Sequence, residues 1–360
     1  MKMTQLKAYK TPDNRKATKV KKLFIAGVGA IGSTLLKQVS KNGTEKSLRV
    51  LGTCNSRHLL WYERSQSNYS INDLLRAPDL DWEVVIDKLT TYDKGSVIFV
   101  DATGSLEVAD LYPRLLKNNI HIVTPSKLAN TQQQDRFDAL HQAAADNNVK
   151  FLYETNVGAG LPIIQSIRNL IQTGDKIVEL SGVVSGTMTY LFSELEKGGS
   201  FSDTVIKARR LGYAEPDPRD DLSGEDVARK FMILARICGI RVERDELDVE
   251  SMIPEALQNV DSNTFLEKLH EVDGEWAERF EKVRQNGHTL RFTGSLKEGK
   301  IKVGIESVPK TSSIGRLAGT NNLIQIRTRR YFDQPLIIQG PGAGKEVTAA
   351  GVLNDILSIR

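Results

Sequence analysis

The sequence has very few residues that could form disulfides or bind metal. It contains two cysteines, Cys54 and Cys238, which cannot build a disulfide framework and do not have the spacing of metal ligands. Its five histidines are scattered without an HxH or HxxxH pattern, so we expect no zinc site. So little cysteine suits a reducing compartment, and we expect a cytoplasmic protein.

Long apolar runs and a general excess of positive charge are also missing. No stretch approaches the length of a membrane-spanning helix, so we expect no membrane association. The net charge is +4, but eight of the lysines and arginines lie within the first 22 residues, and a nucleic-acid-binding surface is therefore not expected. The basic start has no apolar stretch and does not resemble a secretory signal. We interpret residues 1–20 as a disordered basic tail, with a cleaved organelle-targeting peptide as the alternative.

The first apolar run is followed at once by a glycine-rich turn. A strand is predicted over Leu23–Ala26, then comes GVGAIG at 27–32, then a helix-period stretch. In G-x-G-x-x-G the first glycine allows a tight turn, the second lets the backbone approach a pyrophosphate, and the third lets helix and strand pack closely. The helix N-terminus offers free N–H groups to the phosphates. The motif predicts dinucleotide binding by Gly27, Gly29, Ala30, Ile31 and Gly32.

The next predicted strand, Leu48–Cys54, is followed by Asn55-Ser56-Arg57. A site for NAD(H) commonly has an acidic residue here, which binds the ribose 2′-hydroxyl. No acid is present, and Arg57 could pair with a 2′-phosphate. Asn55 and Arg57 are therefore assigned to the cofactor, and NADP(H) is favoured while NAD(H) stays open. The alternative for Arg57 is a solvated loop cation.

Strands and helices continue to alternate up to residue 160. Strands are predicted at 97–100, 120–123 and 149–153 with helical segments between them, which is typical of an α/β fold with a Rossmann-type doubly wound parallel sheet. Ligands of such sheets bind beyond the carboxyl ends of the strands. We therefore expect Thr103, Gly104, Ser105, Lys127 and the loop 154–161 to meet the glycine turn in one crevice.

The second half of the chain has a different pattern. Helices are predicted at 202–211 and 223–239, then strands at 288–294, 301–308, 323–328 and 336–339. A last amphipathic helix follows GPGAGK and is expected to return to the first domain. The predicted organisation is a dinucleotide-binding domain of residues 21–160 and 340–360, and an α+β domain of residues 161–339.

The acidic segment EPDPRDDLSGEDVARK, residues 215–230, allows two interpretations. It could be a surface loop in which Ser223 caps a helix with Glu225–Arg229 and Asp226–Lys230 pairs one turn apart. However, the helix that follows is mostly apolar, so Asp226 and Lys230 would be partly buried and would need partners or a ligand. The residues alone leave both interpretations open.

Six segments together resemble those of homoserine dehydrogenase: GVGAIG, VTPSKLAN, YETNVGAGLPII, SGVVSGTMTYLF, LGYAEPDPRDDLSGEDVARK and GPGAGKEVTAAGV. Over residues 20–360 the chain resembles the dehydrogenase part of bifunctional aspartokinase–homoserine dehydrogenases and the short fungal monofunctional type. The resemblance implies NAD(P)H-dependent reduction of L-aspartate 4-semialdehyde to L-homoserine, a step in threonine and methionine biosynthesis.

The same resemblance implies roles for matched residues. Lys230 corresponds to the proton-donating lysine, and Lys127 lies beside both cofactor and substrate. Substrate binding is implied for Glu215, Asp221, Asp226, Gly212 and Thr187, and a place near the nicotinamide for Gly344. A structural monovalent cation, expected to be sodium, is implied for Glu154, Val157, Ala159 and Leu161. The second domain would be catalytic and would form a homodimer through its sheet.

Two other functions remain as alternatives. A semialdehyde dehydrogenase would oxidise its aldehyde through an activated cysteine, which only Cys54 or Cys238 could provide. A dinucleotide-binding sensor or scaffold would bind the cofactor without turnover.

Overall fold

The computed structural model describes residues 20–41, 47–64, 69 and 71–359. The predicted tail, residues 1–20, lies outside the described residues except for Val20. Within the described part of the chain there are two six-stranded sheets with helices around them. None of the helices described there is long and apolar enough to cross a membrane.

The first sheet is built from the N-terminal part of the chain. Its strands and helices are β1 Lys21–Ala26, α1 Ala30–Lys41, β2 Leu48–Cys54, β3 Leu59–Trp61, α2 Ile71–Leu74, α3 Trp82–Thr90, β4 Val97–Asp101, α4 Leu106–Asp110, α5 Tyr112–Lys117, β5 His121–Val123, α6 Gln134–Asp146 and β6 Phe151–Leu152. The strand order is β3-β2-β1-β4-β5-β6. All neighbours are parallel except β3, which pairs antiparallel with β2 at the edge. The predicted doubly wound sheet is confirmed, apart from this antiparallel edge strand.

The second sheet is mixed and uses the rest of the chain. The remaining elements of the chain are α7 Ile163–Gln172, β7 Ile177–Val183, α8 Gly186–Glu196, α9 Phe201–Arg210, α10 Arg219–Leu222, α11 Glu225–Ile237, β8 Asp248–Val249, α12 Ser262–Lys268, α13 Asp273–Arg284, β9 His288–Lys297, β10 Lys300–Pro309, β11 Asn321–Thr328, β12 Leu336–Pro341 and, packed on the first sheet, α14 Lys345–Ser358. The order is β12-β11-β7-β9-β10-β8, antiparallel except for the β10–β8 pair. Short 3-10 turns lie at Leu128–Asn130, Glu154–Asn156, Arg244–Glu246, Glu255–Leu257 and Leu269–Val272.

Both faces of the first sheet are buried, as parallel sheets require. Along β1, Leu23 and Ile25 join one apolar cluster, and Phe24 and Ala26 join the other. The first of these clusters also contains residues of α1 and of α14, for example Leu35 and Val352. The last helix therefore returns to the first sheet.

Helix α11 packs closely on the second sheet. A Cβ on Gly294 of β9 would come within 2.2 Å of the Phe231 ring on α11, so only glycine allows this approach. Phe231 is itself fully buried. The position of α11 is thereby fixed, and with it the position of the charged residues in its first turns.

The start of α11 differs from the prediction. Ser223 follows the short helix α10, and Gly224, with φ +76°, precedes Glu225 at the start of α11. Gly224, and not the predicted Ser223, is the N-cap residue of α11, although the Ser223 hydroxyl oxygen still accepts the Glu225 backbone N–H at 3.3 Å. The predicted Asp226–Lys230 pair is present, whereas Glu225 pairs with Arg244 instead of Arg229.

Candidate active site

The glycine turn has the geometry that dinucleotide binding needs. Gly27 has φ +88°, and a Cβ there would lie 2.8 Å from the Ala102 carbonyl carbon. A Cβ on Gly32 would lie 1.9 Å from the carbonyl oxygen of Gly27. At Gly29, by contrast, a Cβ would meet nothing within 4 Å, so this backbone is open to an approaching ligand. Ala30 and Ile31 form the first turn of α1, whose N-terminus faces the same turn.

A cleft of about 610 Å³ opens beside this turn. It is lined by Gly27, Val28, Gly29, Cys54, Asn55, Ser56, Leu80, Trp82, Ala102, Thr103, Gly104, Ser105, Glu107 and Val108. Six of the twelve residues predicted to bind the cofactor therefore border one cavity at the carboxyl ends of β1, β2 and β4. The other six do not line it: Ala30, Ile31, Gly32, Arg57, Lys127 and Gly344. Its volume and position fit the adenosine and phosphate portion of a dinucleotide.

The buried carboxylate of Asp101 shapes the Thr103–Ser105 wall of this cleft. Its Oδ1 accepts hydrogen bonds from the Thr103 backbone N–H at 2.7 Å and from the Thr103 hydroxyl at 2.6 Å. Its Oδ2 accepts from the Tyr112 hydroxyl at 2.6 Å. Burial raises the pKa of Asp101, and the hydrogen bonds from Thr103 and Tyr112 oppose this rise. Asp101 was not predicted as a site residue, although a polar residue that ends a buried strand is a usable signal.

Asn55 and Arg57 both lie in the loop after β2, but they differ in position relative to the cleft. Asn55 lines the cleft, and its Oδ1 accepts the backbone N–H groups of Arg57 and His58 at 2.8 and 2.7 Å. Arg57 is exposed and follows the cleft-lining Ser56 directly. No acidic residue occupies this loop between Cys54 and His58.

Two lysines from different parts of the chain meet at one carboxylate. Asp226 Oδ2 lies 2.7 Å from Lys230 Nζ, and its Oδ1 lies 3.2 Å from Lys127 Nζ. Lys230 also donates to the Val184 carbonyl oxygen at 2.5 Å. Lys127 follows β5 of the first sheet, while Lys230 lies on α11, which packs on the second. The predicted catalytic pair is thus brought together between the two sheets.

The electrostatics of this cluster follow from its partial burial. Desolvation lowers the pKa of Lys127, and the Asp226 carboxylate opposes that fall. Although desolvation alone would raise the pKa of Asp226, the two ammonium groups outweigh it and hold this pKa well below its usual range. Asp226 is therefore ionised under all ordinary conditions.

Further carboxylates lie beside the cluster. Asp221 Oδ2 accepts the Glu215 backbone N–H at 2.8 Å. Burial raises the pKa of Asp221, the hydrogen bond from the Glu215 backbone N–H opposes this rise, and the charges of Glu215 and Asp226 raise it further. The Thr187 hydroxyl donates to the Tyr213 carbonyl oxygen at 2.6 Å, next to Gly212. The predicted substrate residues therefore share one negatively charged region.

The predicted cation loop is a buried turn. Val157 and Ala159 are buried, and Ala159 has φ +53°, which is unusual for a residue other than glycine. The Glu154 carboxylate accepts the backbone N–H groups of Ile164 and Gln165, at 2.8 and 2.7 Å, at the start of α7. Leu161 closes the turn, since its N–H donates to the Gly158 carbonyl oxygen. Among the described residues, no three His, Cys, Asp or Glu side chains are grouped as metal ligands.

Neither cysteine has the properties of a catalytic nucleophile. Burial raises the pKa of Cys54 and of Cys238 to about 12. A thiol with so high a pKa is almost entirely protonated at neutral pH and reacts poorly. These properties argue against the cysteine-dependent semialdehyde dehydrogenase.

Two family models match the chain. The model described as "Homoserine dehydrogenase, NAD binding domain" matches residues 27–154, and the one described as "Homoserine dehydrogenase" matches residues 162–357. The boundary between them falls within the buried turn 154–161.

Known proteins agree with these models. A bifunctional aspartokinase/homoserine dehydrogenase from Haemophilus influenzae is 39% identical over 94% of this chain, which spans only 43% of that protein's length. A homoserine dehydrogenase from Emericella nidulans is 35% identical over 94% of this chain and 97% of its own length. The solved structure of a hyperthermophilic archaeal homoserine dehydrogenase in complex with NADPH has a TM-score of 0.74 at 22% identity, covering 95% of this chain and 98% of that one.

The dinucleotide cleft, the paired lysines at the interface between the sheets, and these matches all lead to one assignment. The chain belongs to the homoserine dehydrogenase family.

Proposed function

We propose that this chain reduces L-aspartate 4-semialdehyde to L-homoserine with a reduced nicotinamide dinucleotide, as a step towards threonine and methionine. The observation that carries the proposal is the Asp226 carboxylate, which lies between the ammonium groups of Lys127 and Lys230. One lysine belongs to the part of the chain with the dinucleotide cleft, and the other to the part with the carboxylate cluster. A substrate held between them meets both the cofactor and the acidic residues.

The acidic residues suit an amino-acid substrate. Glu215, Asp221 and Asp226 are close enough for their charges to affect one another, and clustered carboxylates are stabilised by a cation. The α-ammonium group of aspartate semialdehyde is such a cation, and its hydrogen bonds to carboxylates are charge-assisted. Thr187 and Gly212 border the same region and would limit the space available to the substrate.

The lysines suit the proton requirement of carbonyl reduction. The chemistry that a reduced nicotinamide would supply, when bound, is a hydride for the aldehyde carbon. As the carbonyl oxygen gains negative charge it needs a proton, and Lys230 is assigned to donate it. Asp226 and the Val184 carbonyl hold the Lys230 ammonium in place from two sides. Lys127, whose charge is partly desolvated, is assigned to stabilise the oxygen and the bound cofactor.

The residues present fit a dinucleotide, and NADP(H) is favoured over NAD(H). Gly29 leaves open space at the N-terminus of α1, where pyrophosphate oxygens would accept backbone N–H groups. Thr103, Gly104 and Ser105 form the opposite wall of the cleft, and Gly344, at the start of α14, is assigned to the nicotinamide end. The loop after β2 offers Asn55 and Arg57 and no acid, which favours a 2′-phosphate. The archaeal relative crystallised with NADPH supports the same choice.

A structural monovalent cation, expected to be sodium, is assigned to backbone carbonyls of Glu154, Val157, Ala159 and Leu161. The Glu154 side chain is already engaged by two N–H groups of α7, so it would contribute its carbonyl oxygen. A cation at this turn would offset the cost of the left-handed Ala159. Replacing sodium and potassium by a bulky organic cation should then lower the melting temperature.

We assign a homodimer interface to one face of the second sheet. The face opposite the buried Leu180 and Ile324 has a half-buried polar row, which would pair with the same row of a second copy: Glu179, Ser181, Gln325 and Arg327. Light scattering on the protein as it elutes from a size-exclusion column would give its molar mass and so the number of copies. A cytoplasmic location is consistent with the two free cysteines.

The test of function compares the wild type, measured with each of two cofactors, and two variants. Purified protein is given aspartate semialdehyde with NADPH and then with NADH, and the loss of reduced nicotinamide is followed by absorbance. Lys230→Ala should lower turnover by a factor on the order of 100 or more while NADPH binding stays nearly intact. Arg229→Ala, which removes the exposed neighbouring cation, is the matched control. Binding of NADPH without any turnover in the wild type would instead indicate the sensor.

A further inference from the structure

Lys127 can reach Asp226 only if its loop is held against helix α11. The two residues lie in segments that match different family models, and Lys127 begins a short 3-10 turn outside regular strands and helices. Its Nζ–Oδ1 distance of 3.2 Å therefore depends on whatever fixes residues 128–132 to α11.

The side chain of Arg236, at the other end of α11, makes this connection. Its Nη1 donates to the carbonyl oxygens of Asn130 and Gln132 at 2.9 and 2.7 Å. Its Nη2 donates to the Val242 carbonyl oxygen at 2.9 Å and lies 3.4 Å from Glu243 Oε2. One guanidinium thus joins the loop after Lys127 to the segment after α11.

Because Arg236 is buried, these contacts restrain the loop. Its side chain is fully enclosed, and the guanidinium stacks over the Phe137 ring at 5.3 Å. A buried cation must be satisfied by such partners, so the loop carbonyls cannot move away freely. Nearby Arg241 also contacts the first domain, at Asp135 and Asp138, but it is exposed and contributes little.

The loop is held from its other side as well. Asn130 Nδ2 donates to Asn156 Oδ1 at 2.9 Å, and Asn156 Nδ2 donates to the Thr124 carbonyl oxygen at 3.1 Å. Both asparagines are buried. The loop is therefore fixed to its own sheet by Asn130 and to α11 by Arg236. The backbone just after the loop is also joined to the segment after α11, where the Gln134 N–H donates to Glu243 Oε1 at 2.8 Å, but Arg236 is the connection that comes from α11 itself.

We propose that Arg236 is a positioning residue for the reaction, which fixes the loop 128–132 against α11 and so sets the distance between Lys127 and the Asp226–Lys230 pair. The proposal rests on the function proposed above for these lysines. Arg236 touches neither of them and acts through the backbone of the loop. A lysine at 236 keeps the charge but lacks the planar fork that reaches two carbonyls and Val242 together.

The test is a double-mutant cycle. Arg236→Lys should lower kcat by a factor of about 10 to 100, as expected when a reacting group is misplaced by about 1 Å. Because Lys127 is also assigned to the bound cofactor, the Kd for NADPH is expected to rise as well. In a Lys127→Met background the same substitution should have almost no further effect on kcat, because the residue it positions is gone. Multiplicative effects in the two backgrounds would overturn the proposal.

Two further measurements separate positioning from loss of stability. Arg291→Lys is the matched control, because Arg291 is equally buried and donates to loop carbonyls at Gly315 and Leu317. Amide hydrogen exchange at 128–132 should accelerate in Arg236→Lys and stay at the wild-type rate in Arg291→Lys. If Arg236→Lys does not fold, Glu243→Gln weakens the same contact and should give the same exchange pattern more mildly.

The outcomes distinguish this proposal from the function itself. A wild type without turnover would contradict the proposed function, while hydrogen exchange would still decide whether Arg236 holds the loop. An active wild type with unchanged exchange and kcat in both Arg236→Lys and Glu243→Gln would show that Arg236 does not position Lys127.

Discussion

Replacing Asp226 by asparagine removes the negative charge that the two lysines share. The substitution keeps the size of the side chain and one oxygen, but it leaves Lys127 and Lys230 facing each other without a counter-ion. Because desolvation already lowers the pKa of Lys127, and the Asp226 carboxylate opposes that fall, this pKa should drop further in the variant. Lys127 would then lose its proton at a lower pH than in the wild type.

The magnitude follows from the geometry. Two unit charges 3.2 Å apart interact with roughly 5 kcal/mol at an effective dielectric constant of about 20. The Asp226 side chain is 44% exposed, so solvent screening reduces the useful part to about 2 kcal/mol. Losing about 2 kcal/mol of this stabilisation in the transition state, where the ammonium groups must stay charged and in place, corresponds to roughly a 30-fold loss in kcat/KM. Any contact of Asp226 with the substrate would add to this loss.

The assay is a pH profile of kcat/KM for reduction, measured on the variant and on a matched control. The alkaline loss of activity, which reports deprotonation of the required ammonium, should move to lower pH in Asp226→Asn. Glu225→Gln removes a carboxylate one residue earlier, which pairs with Arg244, and should leave the profile unchanged. If Asp226→Asn retained the wild-type kcat/KM and profile, the shared carboxylate would have no catalytic importance.

Three further predictions concern the cofactor and stability. Gly32→Ala should cost about 1–3 kcal/mol in the free energy of unfolding and weaken NADPH binding in titrations, since its Cβ would collide with the Gly27 carbonyl oxygen. Arg57→Ala should raise the KM for NADPH about 10- to 100-fold and leave that for NADH unchanged; equal changes would exclude contact with a 2′-phosphate. Burial lowers the pKa of His141 to about 4. As the pH falls below about 6.5, His141 binds a proton in the unfolded chain but stays neutral in the native state. The native state therefore loses stability between about pH 6.5 and about pH 4. In urea titrations, the free energy of unfolding of His141→Gln should therefore fall by up to about 3 kcal/mol less than that of the wild type over this pH range. An equal fall in both proteins would contradict the claim that His141 is buried in its neutral form.

The first sheet could be predicted because each of its signals is local. The strand before Gly27, the glycine spacing and the helix after it occupy one short stretch, and each glycine has a steric reason that the structure reproduces. The edge strand β3 was not predicted. It has three residues, Leu59–Trp61, and pairs antiparallel with β2 after a tight turn, so it carries no recognisable period.

The start of α11 could not be predicted for a different reason. Ser223 followed by an acid three residues later is a common N-terminal signal. Here the Gly224 residue at φ +76° begins the helix, and a Cβ there would lie 2.9 Å from the Phe292 ring. The close packing of this turn on the second sheet, which involves residues far away in sequence, determines where the helix begins.

The acidic segment shows which features of the site could be predicted from the sequence and which could not. Both interpretations of residues 215–230 agree on the Asp226–Lys230 pair, because residues four apart share a helix face. They differ on whether that face meets anything else, and this depends on Lys127, which lies about a hundred residues earlier. Gly294 lets α11 settle onto the second sheet, and Arg236 ties the same helix to the loop after Lys127. A charged pair that would be ordinary on a surface helix becomes a site because two long-range contacts bring a second lysine to it.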